Sequence, residues 1–367
     1  MPTISVIGAF KAHYPRNQIL RAGLEACGWE VRAAPIPSDR RTFGRLGLLW
    51  RTMHQEAPTT DVFLLAAFNQ LIAPFALLFG RWLGRPVAVD YLVGLYDSAV
   101  QDRETLSPRS LKAAIWRTVD RINCALAPLI FTDTAAHRTA FRTIVGAAAD
   151  RLGVVPVGVY PEWWHPGLVP DTDPARRDLL IQFFGTYIPF HGVEVILEAA
   201  HLLRHDPRLR FELIGRGQTY AAMRRRAEAL GVANVTFVDP VPPPELPARV
   251  AAADICLGVF GARAKTDYVV PNKLFQCLAL GKPVITAESA AVREFFTPGE
   301  HLLTVPPGDA RALAAAIRAL VEAPDERARL GAGAATAIGD AFTPASIVRS
   351  LLPELGALVD RPQERRR

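Results

Sequence analysis

The chain has 367 residues, of which 50% are hydrophobic, so it holds enough apolar side chains for two ordinary domain cores. Its formal net charge is +6, and residues 1–168 hold 18 Lys and Arg against 13 Asp and Glu, so the first half carries most of the excess. No long basic run with interleaved aromatic residues precedes the terminal RPQERRR, which argues against nucleic acid as a partner.

All four cysteines stand apart in the sequence and mostly within apolar runs, which is typical of buried free thiols and predicts a reducing, cytoplasmic location. They are Cys27, Cys124, Cys256 and Cys277. The chain starts with MPTISVIGAF, which has no basic region ahead of a long apolar core. No secretion signal is therefore predicted.

Strand-like and helical runs alternate from the first residues onward. The strand-like ISVIG is followed by the helical NQILRAGLEACG and by a second strand-like run, WEVRAAP. The same alternation returns after residue 178, where LLIQFFG, VEVILEAAHLLRH and LRFELIG follow one another. This order predicts βαβ units, and therefore an α/β fold with parallel sheets covered by helices in both halves.

Residues 38–55 have an amphipathic pattern that allows two interpretations. On a helix, the apolar side chains would share one stripe, with arginines beside it or projecting elsewhere. Such a surface can rest on anionic lipid, or the stripe can pack on the first sheet, which is the commoner arrangement. The apolar residues are Phe43, Leu46, Leu49, Trp50 and Met53, and the arginines are Arg40, Arg41, Arg45 and Arg51.

The most apolar run, residues 63–80, is interrupted by Asn69, Gln70 and Pro74. A helix that crosses a membrane needs about 20 consecutive apolar residues. We therefore expect a strand, a loop and a buried helix in this run, and no membrane span.

A boundary between two domains is predicted near residue 165. Five prolines lie from Pro156 to Pro174, which is typical of a linker. A helical pattern after the second domain is expected to cross back to the first, followed by a frayed terminus. The expected ranges are 1–165 for the N-terminal domain, 166–343 for the C-terminal domain, 344–360 for the closing helix and 361–367 for a disordered tail.

The run VVPNKLFQCLALGKPVI predicts a short helix with an unusual cation. Pro271 suits the opening turn of a helix, and Gly281 tolerates the left-handed conformation that ends one. Asn272 and Gln276 would share the outer face. Lys273 lies in the first turn, where a cation is poorly placed unless an anion binds there, so it predicts a phosphate site. The alternative is a solvated lysine on an ordinary helix.

Several runs together resemble the retaining glycosyltransferases of family four, the glycosyl transferases group 1. The resemblance implies the GT-B architecture, in which two Rossmann-like domains face each other across a cleft. It further implies an acceptor in the first domain and a nucleotide-sugar in the second. The matching runs are FFGTYIPFHGVEVILEAAHLL, FELIGRGQ, NVTFVDPVPPPELPARVAAADICL, VPNKLFQCLALGKPVITAESAAVREFF and HLLTVPPGD.

The resemblance implies that two glycine turns and one helix line the donor pocket. The turns are Gly185-Thr186 and Gly215-Arg216-Gly217, and the helix begins near Asn272.

The donor pocket departs from the family's pattern at four positions. Thr186 and His191 stand where the family has an Arg and a Lys that grip the diphosphate. Gln276 stands at the second position of the Glu-x7-Glu motif, where it can still hydrogen-bond ribose, and Tyr268 stands at the first. The other cations expected near the phosphates are Lys265, Arg263 and Lys273.

The catalytic His expected late in the first domain has no clear counterpart near VAVDYLVGLYDSAVQDR. We predict that Asp97 orients the acceptor hydroxyl or supports developing positive charge, and that Arg103 contacts a phosphate. Helix capping is the alternative for Asp97. Arg16 follows the first strand, where this architecture approaches the donor phosphates, and an ordinary surface arginine is its alternative.

No metal site is expected. Asp171 and Asp173 lie among linker prolines, away from any predicted strand end. His201 and His205 are four residues apart without a nearby carboxylate motif, which is typical of a solvated helix end rather than a zinc site.

These features predict a metal-independent hexosyltransferase of class EC 2.4 that needs no cofactor. It would move a sugar from a nucleotide diphosphate donor to a hydroxyl of a glycan or lipid-linked glycan, with retention of the anomeric configuration. The expected partners are the donor and that acceptor, with peripheral contact at the inner face of the membrane as an option and no nucleic acid. The alternatives are a non-catalytic nucleotide-sugar or glycan-binding protein, or a nucleotide-sugar epimerase of the same architecture.

Overall fold

The computed structural model describes residues 1–11, 14–37, 42–160, 162, 164–170 and 178–360, without the side chains of residues 42 and 43. The described chain forms two compact units, residues 1–158 with 342–360 and residues 159–341. Each contains a six-stranded sheet whose strand pairs are all parallel. The predicted α/β class with two Rossmann-like domains is confirmed. Outside the described residues lie Arg40, Arg41, the side chain of Phe43, Asp171, Asp173 and the tail over 361–367.

The first unit alternates strands and helices as the sequence predicts. Its inner strands are continuous apolar runs buried on both faces, as in parallel sheets that are covered on both sides. In the sheet order β2-β1-β3-β4-β5-β6, the strands are β1 (Thr3–Gly8), β2 (Glu30–Pro35), β3 (Val62–Leu65), β4 (Val87–Asp90), β5 (Leu129–Thr132) and β6 (Leu152–Val154). The helices are α1 (Pro15–Ala26), α2 (Thr42–Glu56), α3 (Ala73–Leu83), α4 (Leu111–Leu126) and α5 (Ala135–Val145).

Right-handed connections between parallel strands place α2, α3, α4 and α5 on one face of the first sheet. Each of these helices contacts the next along the chain, and α2 also contacts β1. Leu49 and Met53 of α2 are fully buried in the core of this unit. Of the two interpretations of the amphipathic run, packing on the first sheet is therefore confirmed.

The expectation of a buried helix after β3 is wrong for one side of α3. Small residues, Ala73, Ala76 and Gly80, face the sheet and are buried. The large residues Phe75 and Trp82 lie on the other side and are exposed, because no described element covers them. None of the helices in the described ranges is both long and apolar enough to cross a membrane.

The second unit repeats the alternation. In the sheet order β12-β11-β10-β7-β8-β9, its strands are β7 (Leu179–Phe184), β8 (Leu209–Ile214), β9 (Val235–Val238), β10 (Ile255–Leu257), β11 (Val284–Ala287) and β12 (Leu303–Val305). Its helices are α6 (Val193–Leu202), α7 (Tyr220–Leu230), α8 (Leu246–Ala251), α9 (Ala264–Tyr268), α10 (Asn272–Ala279), α11 (Ala290–Phe295), α12 (Ala310–Glu322) and α13 (Pro324–Ile338).

The short helix predicted between a proline and a glycine is confirmed as α10. Pro271 is its N-cap in an extended conformation, and Gly281 follows its end with a φ of +65°. Proline disfavours helix before it and glycine tolerates positive φ after it, so these two residues mark the limits of the helix. Leu274, Phe275 and Leu278 are buried, as their helical spacing predicts.

The closing segment is broken rather than continuous. It forms α14 (Pro344–Val348), a 3₁₀ turn (Arg349–Leu351) and α15 (Leu352–Val359), because Pro353 suits only the first turn of a new helix. The segment packs in the first unit, where α14 contacts α1. The division after Gly158 comes earlier than the predicted residue 165, since Gly158 itself packs against the Phe342 carbonyl.

The contact between α1 and α14 generates a stability prediction. A Cβ atom at Gly23 would lie 2.1 Å from the Pro344 carbonyl oxygen, so Gly23→Ala should lower the free energy of unfolding by roughly 1–3 kcal/mol. Gly47 is the matched control, because it lies within α2 and a Cβ there meets no atom within 4 Å. Gly47→Ala should raise that free energy by about 0.5–1 kcal/mol. Urea unfolding measures both, and equal effects of the two changes would contradict the close packing.

Candidate functional site

Two glycine turns meet at the carboxyl edge of the second sheet. Gly185 follows β7 and Gly215 follows β8, and the carboxyl ends of neighbouring parallel strands lie at the same edge. The Gly185 amide donates to the Ile214 carbonyl at 3.0 Å, and the Tyr187 amide donates to the Arg216 carbonyl at 3.1 Å. The structure therefore brings together the two turns that the resemblance assigns to the donor pocket.

The glycines in these turns are required by close backbone approach. A Cβ atom at Gly215 would lie 2.1 Å from the Gly185 carbonyl oxygen, and one at Gly217 would lie 2.6 Å from the Tyr187 nitrogen. Gly215 also has a φ of +127°, which L-residues rarely adopt. Thr186 is exposed on this edge, so its hydroxyl is open to a ligand.

Lys273 extends from the first turn of α10 into the same edge. Only 4% of the residue is exposed, so the alternative of a solvated lysine is wrong. Its Nζ lies 3.7 Å from the centroid of the Phe183 ring and 2.9 Å from the place of a Cβ on Gly185. Within the described part of the chain, this amine has no hydrogen-bond partner.

Burial lowers the pKa of Lys273 well below its ordinary value, because the apolar surroundings disfavour an ammonium ion. The nearby Cys277 thiol does little to offset this, since burial raises its own pKa well above the usual range and keeps it neutral. The Phe183 ring offers its π face to the amine. The arrangement is suited to receiving an anion that would hold the proton on Nζ.

His191 is buried close to this amine, and Lys265 is buried near the Phe190 ring that His191 contacts. The His191 ring lies 5.7 Å from the Phe183 ring and 4.6 Å from the Phe190 ring, and its Cε1 lies 3.3 Å from the place of a Cβ on Gly185. The Nζ of Lys265 lies 6.0 Å from the centroid of the Phe190 ring. Lys265, His191 and Lys273 thus gather around two phenylalanine rings.

Asn272 and Gln276 lie half-buried one helical turn apart on α10. Neither side chain has a hydrogen-bond partner among the residues that the structure describes. Pro271 supplies no side-chain cap, and the Leu274 amide donates to the Pro271 carbonyl at 3.0 Å, so the amides of Asn272 and Lys273 are left for another acceptor. Tyr268, at the first position of the family's Glu-x7-Glu motif, is buried.

Arg16 requires a correction, because it is completely buried in the first unit rather than lying on the surface. Its Nε and Nη2 donate to the Asp90 carboxylate at 3.0 and 3.2 Å. Its Nη1 donates to the carbonyls of Val155 and Pro156 at 2.7 and 2.8 Å. These bonds use four of the five guanidinium N–H groups, so no pair of neighbouring donors is left to bind a phosphate. Arg16 ties α1 to β4 and to the chain after β6.

Asp97 and Arg103, the predicted catalytic pair, differ in their surroundings. Asp97 is buried at the first position of a π-helical turn, Asp97–Asp102, whose N-cap is Tyr96. Asp97 is therefore not the N-cap of that turn. Arg103 follows the turn and is exposed. Their catalytic roles stay predictions.

A histidine that the sequence analysis missed lies beside Asp97. The Nε2 atom of His137 is 4.0 Å from Asp97 Oδ2, and its Nδ1 is 2.6 Å from Asp133 Oδ1. The 2.6 Å separation is that of a hydrogen bond, so Asp133 fixes the orientation of the ring. The signal that could have found it is TDTAAH, directly after the apolar strand β5 and therefore at the carboxyl edge of the first sheet.

Asp120 of α4 holds the chain just before the π-helical turn. Its carboxylate accepts the amides of Leu95 and Tyr96, both at 2.9 Å, and the hydroxyl of Tyr91. Burial raises the pKa of Asp120 to about 6, although these three donors act in the opposite direction. The buried carboxylate thus fixes the backbone that carries Asp97.

No group of three or more His, Cys, Asp or Glu side chains forms a metal site within the described ranges. The Nδ1 of His201 lies 2.8 Å from the Leu230 carbonyl, so this ring joins α6 to α7 and is not merely solvated. The four cysteines are free thiols, three of them buried as predicted and Cys27 half-buried.

Comparison with known proteins adds independent information on the second unit. Residues 178–323 match the family model described as glycosyl transferases group 1. Over 207 residues the chain is 32% identical to the D-inositol 3-phosphate glycosyltransferase of Corynebacterium glutamicum (strain R), which is 50% of this chain and 47% of that protein. The chain spans about half the length of the curated relatives it matches.

Solved structures share the whole fold at low sequence identity. Anabaena Alr3699/HepE in complex with UDP and glucose aligns with a TM-score of 0.73 and 17% identity, over 97% of this chain and 100% of that one. Sucrose-phosphate synthase from Thermosynechococcus elongatus aligns with a TM-score of 0.72 and 17% identity, over the same shares. Residues 178–323 thus resemble the glycosyl transferases group 1, and the fold is of the GT-B type.

Proposed function

We propose that this chain is a glycosyltransferase that moves a sugar from a nucleoside diphosphate donor to an acceptor hydroxyl, with retention of configuration. The observation that carries the proposal is the buried Nζ of Lys273, which lies beside the Gly185 turn without a hydrogen-bond partner among the described residues. A diphosphate would supply the missing charge-assisted bonds. The UDP bound to the HepE neighbour supports this donor class.

The reaction needs an anion to be stabilised as it leaves. The bond between the anomeric carbon and the diphosphate oxygen breaks, and its electron pair remains on the diphosphate while the acceptor oxygen bonds to the same carbon. In this proposal Lys273 and the uncapped amides of the first turn of α10 stabilise the leaving diphosphate. Cations and helix amides supply positive charge here, so we propose that no divalent metal or cofactor is needed.

The departures from the family's pattern are compatible with this role. His191 lies beside Lys273, where an imidazole N–H can donate to a phosphate oxygen in place of a lysine. Gln276 and Asn272 have side-chain amides open to ribose hydroxyls, at the cost of the stronger bond that a carboxylate makes. Lys265 is the second cation of the proposed donor site.

We propose that the buried carboxylate of Asp97 in the first unit takes the proton of the sugar acceptor's hydroxyl. As the hydroxyl attacks, it becomes acidic and its proton needs an acceptor. Asp97 is the proposed group, and His137, held by Asp133, can share a proton with it. We propose a glycan or lipid-linked glycan as the acceptor. A lipid-linked acceptor would hold the protein at a membrane surface during the reaction.

The proposed activity is tested by release of nucleoside diphosphate. We expect release from one of a panel of uridine, guanosine and adenosine diphosphate sugars in the presence of a glycan acceptor, with the α-linkage of the donor kept in the product. The rate should be unchanged by EDTA, because no metal stabilises the leaving group.

Other outcomes of that assay identify the alternatives. Binding without nucleotide release would indicate the non-catalytic binding protein, and a changed sugar that stays on its nucleotide would indicate the epimerase. Loss of activity in EDTA with recovery in magnesium or manganese would contradict the metal-independent mechanism.

Replacing Lys273 with methionine separates binding from folding. Lys273→Met should weaken donor binding by about 1.5–3 kcal/mol, since a charge-assisted bond is lost. The same change should raise the free energy of unfolding by about 1–3 kcal/mol, because it removes an unsatisfied buried amine. Lys282→Met, just after the same helix, is the control and should alter neither quantity. Donor titration and urea unfolding give both numbers, and a less stable Lys273→Met with normal affinity would remove this amine from the site.

Donor binding should take up a proton. The pKa of Lys273 is lowered in the free protein and is raised when an anion contacts the amine. Between those two values the complex holds more protons than the free protein, so affinity should fall as pH rises. Calorimetry in two buffers of different ionisation heat measures this uptake, which Lys273→Met should lack. Lys273 also binds its proton more tightly in the unfolded chain than in the ligand-free folded chain. Its contribution should therefore make the free energy of unfolding rise with pH.

A further inference from the structure

Exposed apolar side chains are concentrated on two neighbouring helices of the first unit. Of thirteen large apolar residues that are exposed among those described, seven lie on α3 and α4. Scattered exposed apolar residues are normal, but a contiguous group indicates a binding surface. We name these seven residues the α3–α4 face: Phe75, Leu78, Trp82, Leu111, Ile115, Ile122 and Leu126.

The exposed apolar residues of α3 and those of α4 form one surface. Helices α3 and α4 contact each other along the same side of the sheet. Leu78 and Leu126, one from each helix, line a common cavity of about 460 Å³ together with Arg81. Leu126, which lines this cavity, is 63% exposed, and Trp82 on α3 is 66% exposed, so both present large apolar side chains directly to solvent.

The exposed charges that α3 and α4 themselves carry are of one sign, whereas Asp61, just before β3, also lines the shared cavity. The exposed charged residues of α3 and α4 are all cations, and the one acidic residue of the two helices, Asp120, is buried. None of the cations forms an ion pair within the described part of the chain. They are Arg81, Lys112, Arg117 and Arg121.

This combination of apolar and cationic groups selects among partners. A second copy of the chain would bring the same cations against one another in a twofold interface. The phosphates of a nucleic acid would pair with the cations, but the exposed aliphatic side chains would remain without an apolar contact. A bilayer with anionic lipid meets both, because Trp favours the membrane interface and Lys and Arg are attracted to anionic headgroups.

We propose that the α3–α4 face docks this chain onto a membrane that contains anionic lipid. The role of this docking rests on the proposed function, because the docking would hold the chain beside a lipid-linked acceptor. The membrane contact itself does not depend on that function. It replaces the contact predicted for α2, whose Leu49 and Met53 are committed to the core.

Sedimentation with vesicles tests the docking without donor or acceptor. The full chain should sediment with vesicles of phosphatidylcholine and phosphatidylglycerol at low salt, but not with phosphatidylcholine alone. Arg81→Gln with Arg121→Gln should weaken binding about fivefold for each charge removed. Leu78→Gln, Trp82→Gln and Leu126→Gln combined should abolish binding. The matched controls lie in the second unit: Leu202→Gln, at an exposed apolar site, and Arg225→Gln, at an exposed cation, should bind as the unchanged chain does.

Three results would overturn the docking: no binding to anionic vesicles, unchanged binding by the triple variant, or equal losses in the controls. If the unchanged chain does not bind vesicles but forms a dimer in solution, and only the triple variant is monomeric, the face instead binds a second copy of the chain. Thermal midpoints of all variants establish that they are folded. Nucleoside diphosphate release with a water-soluble acceptor and no vesicles should be the same in the variants, so failure of docking and failure of glycosyl transfer are told apart.

Discussion

A buried amine that lacks a hydrogen-bond partner opposes folding, and the second unit holds an amine with no partner among the described residues at the carboxyl edge of its sheet. Lys273 is kept there by the apolar packing of α10, by the Phe183 ring below its Nζ and by a glycine turn that has no side chain to fill the space. A methionine would occupy that volume at lower cost. A bound anion would satisfy the amine and turn this destabilising group into a ligand contact.

The same edge explains why the glycines cannot be exchanged for other residues. Gly185 and Gly215 allow the turns after β7 and β8 to approach at backbone distance, and this approach leaves room for the Lys273 amine. The parallel sheet supplies the place, since its carboxyl edge gathers loops from distant parts of the chain. In the first unit the corresponding edge gathers carboxylates instead, with Asp97 and Asp133 on either side of His137.

Local patterns in the sequence predicted the regular elements well. The alternation of strands and helices and the limits of α10 follow from periodicity and from Pro271 and Gly281, which act on their immediate neighbours. The resemblance to the family's motifs led to the glycine turns, and the place of Lys273 in the first turn of a helix led to the phosphate site, although neither reveals that the amine is buried.

What the sequence could not show depends on contacts between distant residues. Arg16 was expected near the surface or at a phosphate, but its partner Asp90 lies 74 residues away. His137 is 40 residues from Asp97, and no local pattern joins them. The exposed side of α3 was missed because its composition resembles that of a buried helix, and only the packing of neighbouring elements decides which side is covered.

A crystal structure with the nucleoside diphosphate that stabilises the chain most would test the central claim directly. We expect that the Nζ of Lys273 leaves the Phe183 ring and lies within about 3 Å of a phosphate oxygen, with the diphosphate against the Gly185 turn. A diphosphate bound elsewhere, with this amine still unpaired above the ring, would contradict it.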